Sequence, residues 1–274
     1  MSRPTQFFRR LLGKTALVTG AGSQGAGVGT GKAIAIVFAL EGARVCLVDR
    51  ERQRVEETRA EIEAAGGECF VSIADVTQST QCERAVAATL QRYGRLDALV
   101  NNVGIGVSGG RVEQLDEAVW ERVMDVNLRS AVLMCKHALP ALIAARGAIV
   151  NIASIAALRA HGGGVVYSAS KAGLIAATRD LAVMYGREGV RANVVAPGHI
   201  FTPLVEGMLD RDAREVRRRI APLGSEGDAW DVAAAALFLA SDEARFITAA
   251  CLPVDGGVTE IGALAAHALV VDGQ

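Results

Sequence analysis

Short apolar runs alternate with helix-length amphipathic stretches along nearly the whole chain, and this alternation limits the possible folds more than any other feature. The runs that predict strands are KTALVTG, RVCLVD, ECFVSIADV, RLDALVNNVG, GAIVNIAS, VRANVVAPG and AACLPVDGG. They are apolar on both faces, as parallel strands covered by helices are. Alternating strands and helices imply right-handed crossovers. The sequence therefore predicts an α/β fold with a Rossmann-type, doubly wound parallel sheet.

No linker-like stretch divides the chain, so we expect one domain over residues 1–274. The 274 residues are enough for one large core, and an apolar content of 51% argues against disorder. A long helical region is expected from about Glu117 to Ala145, and a polar helical segment from about Pro203 to Ile220. The latter lies in a more charged stretch, about 199–225, which we interpret as an insertion over one end of the sheet. A C-terminal tail occupies about 259–274.

Composition excludes several classes of function. The net charge of -1 and the 4% aromatic content do not suit a nucleic-acid-binding surface. We find no uncharged apolar run near the ~20 residues of a membrane helix and no signal-peptide pattern. Five scattered cysteines without a C-x-x-C pair predict reduced thiols, and scattered histidines argue against a metal site. We therefore expect a soluble cytoplasmic protein without bound metal, nucleic acid or membrane.

The segment TGAGSQGAGVGTGKAIA carries six glycines between the first predicted strand and the first helix. Gly20, Gly22 and Gly25 match G-x-G-x-x-G literally, but that frame would place further glycines inside the helix, at about 1 kcal/mol each. We therefore place Gly29 and Gly31 at the helix start and Gly20 at the strand end, with an insertion near residues 24–28. Such a turn presents N–H groups and a helix dipole to a phosphate. The alternative is a flexible loop without a ligand.

Asp49 ends the second predicted strand, 18 residues after Gly31. A carboxylate there can accept hydrogen bonds from the adenosine ribose hydroxyls of a dinucleotide and would repel a 2′-phosphate. This favours NAD over NADP, although the neighbouring Arg50 could pair with that phosphate. The alternative is that Asp49 only caps the following helix.

The motif YSASK places Tyr167 and Lys171 on one face at the start of a helix. A nearby ammonium lowers the pKa of a phenol below its reference of about 10, which can make tyrosine a general base. Ser154 ends the fifth predicted strand, where a hydroxyl could hold a substrate oxygen. Asn127 lies inside a predicted helix, where asparagine is unfavourable unless it has a role. Each residue also has an ordinary alternative, as a surface pair, a turn serine or a solvated amide.

These motifs together resemble the short-chain dehydrogenase/reductase superfamily over nearly the full length. The matching stretches include TGAGS…GTGKAIA, VDR, ADVT, NNVG, NIAS, YSASK, VVAPGHIFTP and VDGG, in the same order and spacing. The resemblance implies an NAD(P)-dependent oxidoreductase that interconverts a secondary alcohol and a ketone. It implies a catalytic tetrad of Asn127, Ser154, Tyr167 and Lys171, in which Tyr transfers the proton, Ser positions the substrate oxygen, Lys binds the nicotinamide ribose, and Asn holds a proton-relaying water.

The resemblance and the local patterns together give a predicted set of cofactor contacts. They are Gly20, Gly22, Ser23, Gly29, Gly31, Asp49, Arg50, Asp75, Val76, Asn102, Val103, Gly104, Tyr167, Lys171, Pro197, Gly198, Ile200 and Thr202. The predicted substrate contacts are Ser154, Tyr167, His161 and His199. The segment 199–225 then corresponds to the substrate lobe. Val103 replaces a common alanine, and the glycine loop is longer than usual.

Three further hypotheses stay open at this point. The substrate could be a 3-oxoacyl thioester, with the run EVRRR at Glu215–Arg219 docking an acidic carrier protein. The chain could also bind a dinucleotide without turnover. The resemblance further implies a homotetramer or homodimer, with the helices near Glu117–Ala145 and Ser168–Glu188 pairing across subunits through positions such as Leu181 and Met184.

Overall fold

The computed structural model describes residues 8–25, 27–106, 110–160, 164–207 and 209–272. Its strands are β1 Thr15–Thr19, β2 Arg44–Asp49, β3 Glu68–Ile73, β4 Ala98–Asn101, β5 Ala148–Ile152, β6 Arg191–Pro197, β7 Ile200–Phe201, β8 Gly227–Asp228 and β9 Cys251–Val254. Its helices are α1 Thr30–Leu40, α2 Arg52–Ala64, α3 Ser79–Tyr93, α4 Glu117–Met124, α5 Ser130–Ala145, α6 Val165–Tyr185, α7 Pro203–Glu206, α8 Arg211–Ile220, α9 Ala229–Ala240 and α10 Ala263–His267.

Seven parallel strands form one sheet in the order β3-β2-β1-β4-β5-β6-β9. The direction of winding reverses between β1 and β4. In open α/β sheets, ligands bind at such a switch point, outside the carboxyl ends of the strands. The predicted fold class is confirmed, and the topology fixes where the site must lie.

Helices cover both faces of the sheet, and neighbouring residues of β1 show the alternation. Val18 packs with Ile34 and Phe38 of α1 and with Val232 of α9 on one face. Leu17 packs on the other face with residues of α3 and α5, among them Met134. All of these side chains are buried. The site is therefore anchored in a sheet with a core on each side.

The helix after the glycine segment begins where the second of the two frames predicts. Gly29 is the N-cap of α1 and Gly31 lies in its first turn. A Cβ at Gly31 would overlap the carbonyl oxygen of Gly20 and the side-chain amide of Asn102. Only glycine allows this close approach of helix and strand. The literal frame, with a helix starting near residue 26, is wrong.

Two predicted helices differ from the structure in their continuity. The region Glu117–Ala145 is one helical stretch, but a π-helical turn at Asp125–Arg129 separates α4 from α5. By length and mean hydropathy this stretch could cross a membrane, yet its inner face belongs to the core described above. The polar segment near 203–220 is two helices, because Asp210 starts α8 as an N-cap that accepts a hydrogen bond from the Ala213 N–H.

The substrate lobe contains β7, β8, α7 and α8, outside the main sheet. The two strands pair in parallel over only two residues each. The tail forms α10 and a π-helical turn, Ala268–Asp272, which packs against α8. The predicted bounds, 199–225 for the lobe and 259–274 for the tail, stay predictions.

Candidate active site

A cavity of about 380 Å³ opens at the carboxyl end of the sheet, at the switch point between β1 and β4. Most of the predicted site residues line it, namely Gly20, Gly22, Ser23, Gly29, Gly31, Asp49, Arg50, Asp75, Val76, Asn102, Val103, Gly104, Ser154, Tyr167, Lys171, Pro197, Gly198, Ile200 and Thr202. Asn127 is buried beside it. The structure thus brings together residues that are spread over 180 positions of the sequence, apart from two histidines considered below.

The extended glycine loop is folded onto the start of α1. The hydroxyl of Ser23 accepts a hydrogen bond of 3.0 Å from the Gly29 N–H. This bond spans six residues and holds the insertion in place. The first N–H groups of α1 have no acceptor inside the helix, and they open onto the cavity. The loop therefore keeps the geometry of an anion-binding helix N-terminus.

Asp49 connects the second strand to this loop. Its Oδ2 accepts a 2.9 Å hydrogen bond from the Gly22 N–H, and its Oδ1 accepts one of 3.0 Å from the Glu51 N–H. The N-cap of α2 is Glu51, so the alternative that Asp49 caps this helix is wrong. Arg50 is exposed, 3.6 Å from the Glu51 carboxylate. The carboxylate of Asp49 thus faces the cavity beside the glycines.

Asp75 follows β3 on the same edge of the sheet. Its Oδ1 accepts hydrogen bonds from the backbone N–H and the hydroxyl of Thr77, at 2.9 and 2.8 Å. Partial burial raises the pKa of Asp75, but the hydrogen bonds from Thr77 and the charges of Arg122 and Arg50 outweigh it, so the pKa is lowered overall. Asp75 is therefore an anion held in a fixed orientation.

The segment Asn102–Gly104 follows β4 and joins the two ends of the cavity. The Asn102 side chain donates to the carbonyl oxygens of Thr19 and Gly20, each at 3.2 Å. A Cβ at Gly104 would lie 3.0 Å from Nζ of Lys171. Glycine at this position therefore leaves room for the lysine, and Val103 beside it packs against the core.

The π-helical turn explains why an asparagine sits inside a helix. Such turns are frequent at functional sites. Asn127 is buried, its Oδ1 accepts from the Ile105 N–H at 2.7 Å, and its Nδ2 donates to the Ile105 carbonyl and the Ser170 hydroxyl at 3.0 and 3.1 Å. The amide ties α4 and α5 to the loop after β4 and to α6. Asn127 is thus no solvated amide.

Ser154, Tyr167 and Lys171 meet at the other end of the cavity. Ser154 follows β5, and Tyr167 lies in the first turn of the long helix α6. Lys171 is buried, and its Nζ donates a 2.9 Å hydrogen bond to the Ile152 carbonyl. The same Nζ lies 6.0 Å from the centre of the Tyr167 ring. The expected spatial cluster therefore forms.

The pKa of Tyr167 differs from the expected direction. Burial raises it above the usual value, and a hydrogen bond with the Ser154 hydroxyl partly offsets this. Lys171 was expected to lower it, but its ammonium donates to a carbonyl and lies beside the ring instead of the hydroxyl. Burial itself lowers the pKa of Lys171 to about 8. Lys171 therefore loses its proton more readily than an exposed lysine.

Two predicted substrate contacts need separate description. His161 lies outside the described residues. His199 was expected to face the substrate, but its Nδ1 lies 3.2 Å from the carbonyl oxygen of Arg217 in α8. Among the described residues, those that line the cavity do not include His199. Its ring serves the packing of the substrate lobe.

Sequence reasoning missed several cavity residues. They are Gln24, Thr30, Val48, Arg54, Ala74, Thr77, Ile105, Gly106, Arg122, Val126, Ile152, Ala153 and Val205. Thr30 and Thr77 adjoin predicted cofactor contacts in the sequence. Their position next to these contacts could have indicated that they also line the cavity. Arg122 reaches the site from α4, which no local pattern shows.

The cysteines and acidic residues show no sign of a further centre. In the described part of the chain, no group of three or more His, Cys, Asp or Glu side chains is placed to hold a metal ion. The five cysteines are unpaired.

Comparisons with known proteins agree with the topology. A family model described as enoyl-(acyl carrier protein) reductase matches residues 25–259. Levodione reductase of Leifsonia aquatica is 36% identical over 90% of this chain and 95% of its own. A 3-oxoacyl-[acyl-carrier-protein] reductase of Thermotoga maritima is 37% identical over 91% of this chain and 99% of its own.

A solved structure shows the same fold. It is a 7α-hydroxysteroid dehydrogenase complexed with NADH and 7-oxo glycochenodeoxycholic acid, with a TM-score of 0.86 and 30% identity. The similarity covers 93% of this chain and 98% of that one. With the matched family model and these relatives, the chain belongs to the short-chain dehydrogenase/reductase superfamily.

Proposed function

We propose that this protein is an oxidoreductase that interconverts a secondary alcohol and a ketone, with NAD as the hydride carrier. The observation that carries the proposal is the meeting of Ser154, Tyr167 and Lys171 at one end of a cavity whose other end is formed by the glycine loop and Asp49. A dinucleotide joins two such ends. A proton-transfer group and a cofactor site in one crevice are what hydride transfer at a carbinol carbon requires.

The residues present fit a nicotinamide dinucleotide. The first N–H groups of α1 and the backbone near Gly20 and Gly22 suit the pyrophosphate. The carboxylate of Asp49 suits two ribose hydroxyls. Lys171 and Asn102 suit the riboses, and the loop from Pro197 to Thr202 suits the nicotinamide end. When bound, the nicotinamide ring accepts or gives the hydride.

The side chains of this chain provide the proton transfer. Tyr167 Oη takes the hydroxyl proton of the alcohol in oxidation and returns it to the ketone oxygen in reduction. Ser154 holds that oxygen by a hydrogen bond. The ammonium of Lys171 favours the phenolate by its charge, although the distance to the ring makes this effect smaller than expected. Asn127 fixes the loop after β4 against α6.

NAD is proposed over NADP because of Asp49. Its carboxylate is fixed by the Gly22 and Glu51 N–H groups and faces the cavity. A fixed negative charge at this place repels a 2′-phosphate. Arg50 and Arg54 line the same end, so both charges act on the choice. The NADH-bound steroid dehydrogenase shows that a related fold takes this cofactor.

A small alcohol or ketone is the proposed substrate, and the levodione reductase relative supports a carbonyl compound of this kind. The alternative is a 3-oxoacyl thioester, which the name of the Thermotoga maritima relative favours. The arginines of α8 weaken it, because Arg218 and Arg219 pair with Glu215, and Arg214 and Arg217 pair with Glu226. The two carboxylates offset two of these four arginines, which halves the positive charge offered to an acidic carrier protein.

A homotetramer or homodimer is proposed from the exposed apolar side chains of the long helices. Val183 and Met184 of α6 are 79% and 63% exposed, and Val132 of α5 is 45% exposed. Leu181, in contrast, packs against the protein's own core. Elution at the monomer mass in size-exclusion chromatography would contradict this assembly. The unpaired cysteines support a reducing compartment, so we propose a cytoplasmic location.

Replacing Tyr167 by Phe tests the proposed function. We expect alcohol-dependent reduction of NAD at neutral pH to fall at least ~100-fold, because general acid–base catalysis is worth about that much. The dissociation constant for NADH, from its fluorescence, should stay within ~3-fold. Tyr185→Phe, at the far end of the same helix, is the matched control and should keep full activity. Retained activity in Tyr167→Phe would contradict the assignment of Tyr167 as the proton-transfer group. If neither wild-type protein nor control oxidises any alcohol while NADH binds, the non-catalytic reading prevails.

A further inference from the structure

Glu226 forms a two-armed ion pair with the helix of the substrate lobe. Its Oε2 accepts a 2.9 Å hydrogen bond from Nε of Arg214, and its Oε1 lies 3.1 Å from Nε of Arg217. The Glu226 side chain is 8% exposed and that of Arg217 is 17% exposed. The carboxylate precedes β8, while both arginines belong to α8. This ion pair thus joins two elements of the lobe that lie outside the main sheet.

The same arginines reach the strand that continues into the cavity wall. Nη2 of Arg217 donates a 3.3 Å hydrogen bond to the Ile200 carbonyl of β7. The guanidinium of Arg214 lies 3.5 Å from the centre of the Phe201 ring. Ile200 itself lines the cavity, as do Thr202 and Val205 just after it. Displacement of α8 would therefore release this part of the cavity wall.

Backbone contacts connect the cluster to the loop after β6. The Nδ1–H of His199 donates to the Arg217 carbonyl, since a carbonyl oxygen only accepts, and the His199 carbonyl accepts a 3.0 Å hydrogen bond from the Gly227 N–H. His199 follows Pro197 and Gly198, which line the cavity. The position of α8 is thus linked to the residues proposed to contact the nicotinamide.

Glu215, a carboxylate on α8 itself, differs from Glu226 in its exposure and in the location of its partners. Glu215 also pairs with two arginines, Arg218 and Arg219, but its side chain is 40% exposed and its partners are on the same helix. Exposed ion pairs of this kind contribute little to the free energy of unfolding. Removing Glu226, in contrast, leaves the mostly buried charge of Arg217 without its partner, which is costly.

We propose that Glu226 is a positioning residue of the active site, which holds α8 against β7 through Arg214 and Arg217 and so fixes the cavity wall formed by Ile200, Thr202 and Val205, where the nicotinamide and the substrate would meet. It touches neither the substrate nor the cofactor. The proposal rests on the proposed function insofar as it concerns substrate affinity. Its claim about the attachment of α8 is independent of turnover.

Proteolysis tests the attachment of α8 without any assay of activity. The helix carries trypsin sites at Arg214, Arg217, Arg218 and Arg219. We expect Glu226→Gln to be cut within α8 at least ~10-fold faster than the wild-type protein, since cleavage follows local opening. Glu215→Gln removes the same charge from the same lobe and should be cut at the wild-type rate. Equal rates in the two variants would overturn the proposal.

Steady-state kinetics tests the positioning role. In Glu226→Gln we expect KM for the alcohol to rise ~10-fold, with kcat within ~3-fold of wild type. The NADH dissociation constant should rise by no more than ~3-fold, because the glycine loop and Asp49, which are fixed by their own hydrogen bonds and not by α8, still hold the opposite end of the dinucleotide. A purely structural role would lower the melting temperature and leave KM for the alcohol unchanged relative to kcat. Arg217→Met removes the same pair from the other side, and the double variant should be no worse than either single one. Additive effects on KM would contradict the proposal.

The outcomes separate the two proposals. If Glu226→Gln fails to fold by circular dichroism, Arg217→Met gives both readouts, and its remaining arginines keep the trypsin sites of α8. If no alcohol is turned over by wild-type protein, the proposed function fails, while the proteolysis still decides whether Glu226 holds the lobe.

Discussion

The two ends of the cavity are supported in different ways. The cofactor end is built on the carboxyl ends of β1, β2, β3 and β4, whose strands pair in continuous parallel ladders. The substrate end rests on β7 and β8, which pair over two residues each, and on α8, which side chains hold in place. Backbone geometry therefore fixes one end, and a few ionic side chains fix the other.

This difference indicates which end of the cavity tolerates substitutions. At the cofactor end, a methyl group added at Gly31 meets the backbone of Gly20, directly after β1, and the side chain of Asn102, directly after β4. At the substrate end, α8 buries none of its residues, so this helix can shift without disturbing the main core. Substrate preference can vary on such a lobe while the hydride chemistry stays unchanged.

The largest effect should come from Gly31→Ala, which tests the rigidity of the cofactor end. The new Cβ would overlap the Gly20 carbonyl and the Asn102 amide, so α1 must move away from β1. We expect NADH affinity to fall by ~100-fold and the melting temperature to drop, since overpacking costs about 1–3 kcal/mol. Fluorescence titration and thermal unfolding measure the two quantities.

Gly186→Ala is the matched control for this substitution. Gly186 lies at the end of α6 with helical backbone angles, and a Cβ there meets no atom within 4 Å. Binding and stability should match the wild-type protein. Near-normal NADH binding in Gly31→Ala would show that the cofactor end adapts as readily as the lobe, and the comparison would fail.

A medium effect is expected from Asp49→Asn, which separates charge from geometry at the cofactor end. The amide oxygen can still accept the hydrogen bond from the Gly22 N–H, while the negative charge and the exposed hydrogen bond from the Glu51 N–H are lost. We expect the ratio of NADPH to NADH dissociation constants to fall ~10-fold, about 1.4 kcal/mol, because the 2′-phosphate is no longer repelled. Titration of both cofactors gives the ratio.

The neighbouring Glu51→Gln serves as the control for net charge. Its side chain is 51% exposed and interacts with Arg50. The ratio should change by less than ~2-fold there, since exposed charges are screened. If the wild-type protein already prefers NADPH, Arg50 and Arg54 outweigh Asp49, and the choice of NAD is wrong.

Much of the cofactor end of the cavity could be predicted from the sequence, because local patterns determine it. The strand pattern gave the parallel sheet, and the cost of mid-helix glycine gave the start of α1 near Gly29. Leu17 and Val18 of β1 pack on opposite faces of the sheet, as the strand period requires. Tyr167 and Lys171 share a helix, so their spacing alone placed them together.

The lobe could not be predicted in the same way, because its contacts join distant residues through side chains. Nothing near Glu226 in the sequence shows that it meets Arg214 and Arg217. His199 follows a predicted cofactor contact, yet its ring turns to α8. The pKa of Tyr167 also depends on burial, which a motif does not encode. The run EVRRR likewise appears as one charged patch, although its arginines divide between two carboxylates.

The smallest effect should come from truncation of the chain after Glu260. This truncation tests whether the tail supports only the substrate end of the cavity. Of the removed tail, the turn Ala268–Asp272 packs against α8, while Leu264 is exposed. The contacts of Arg159 with the Thr259 carbonyl and the Glu260 carboxylate stay intact. Because α8 keeps its ion pair with Glu226, we expect only a ~3-fold rise in KM for the alcohol and slightly faster trypsin cleavage of α8. The NADH dissociation constant should not change. A loss of NADH affinity as large as the rise in KM would mean that the tail supports both ends of the cavity, so that the lobe is no independent unit.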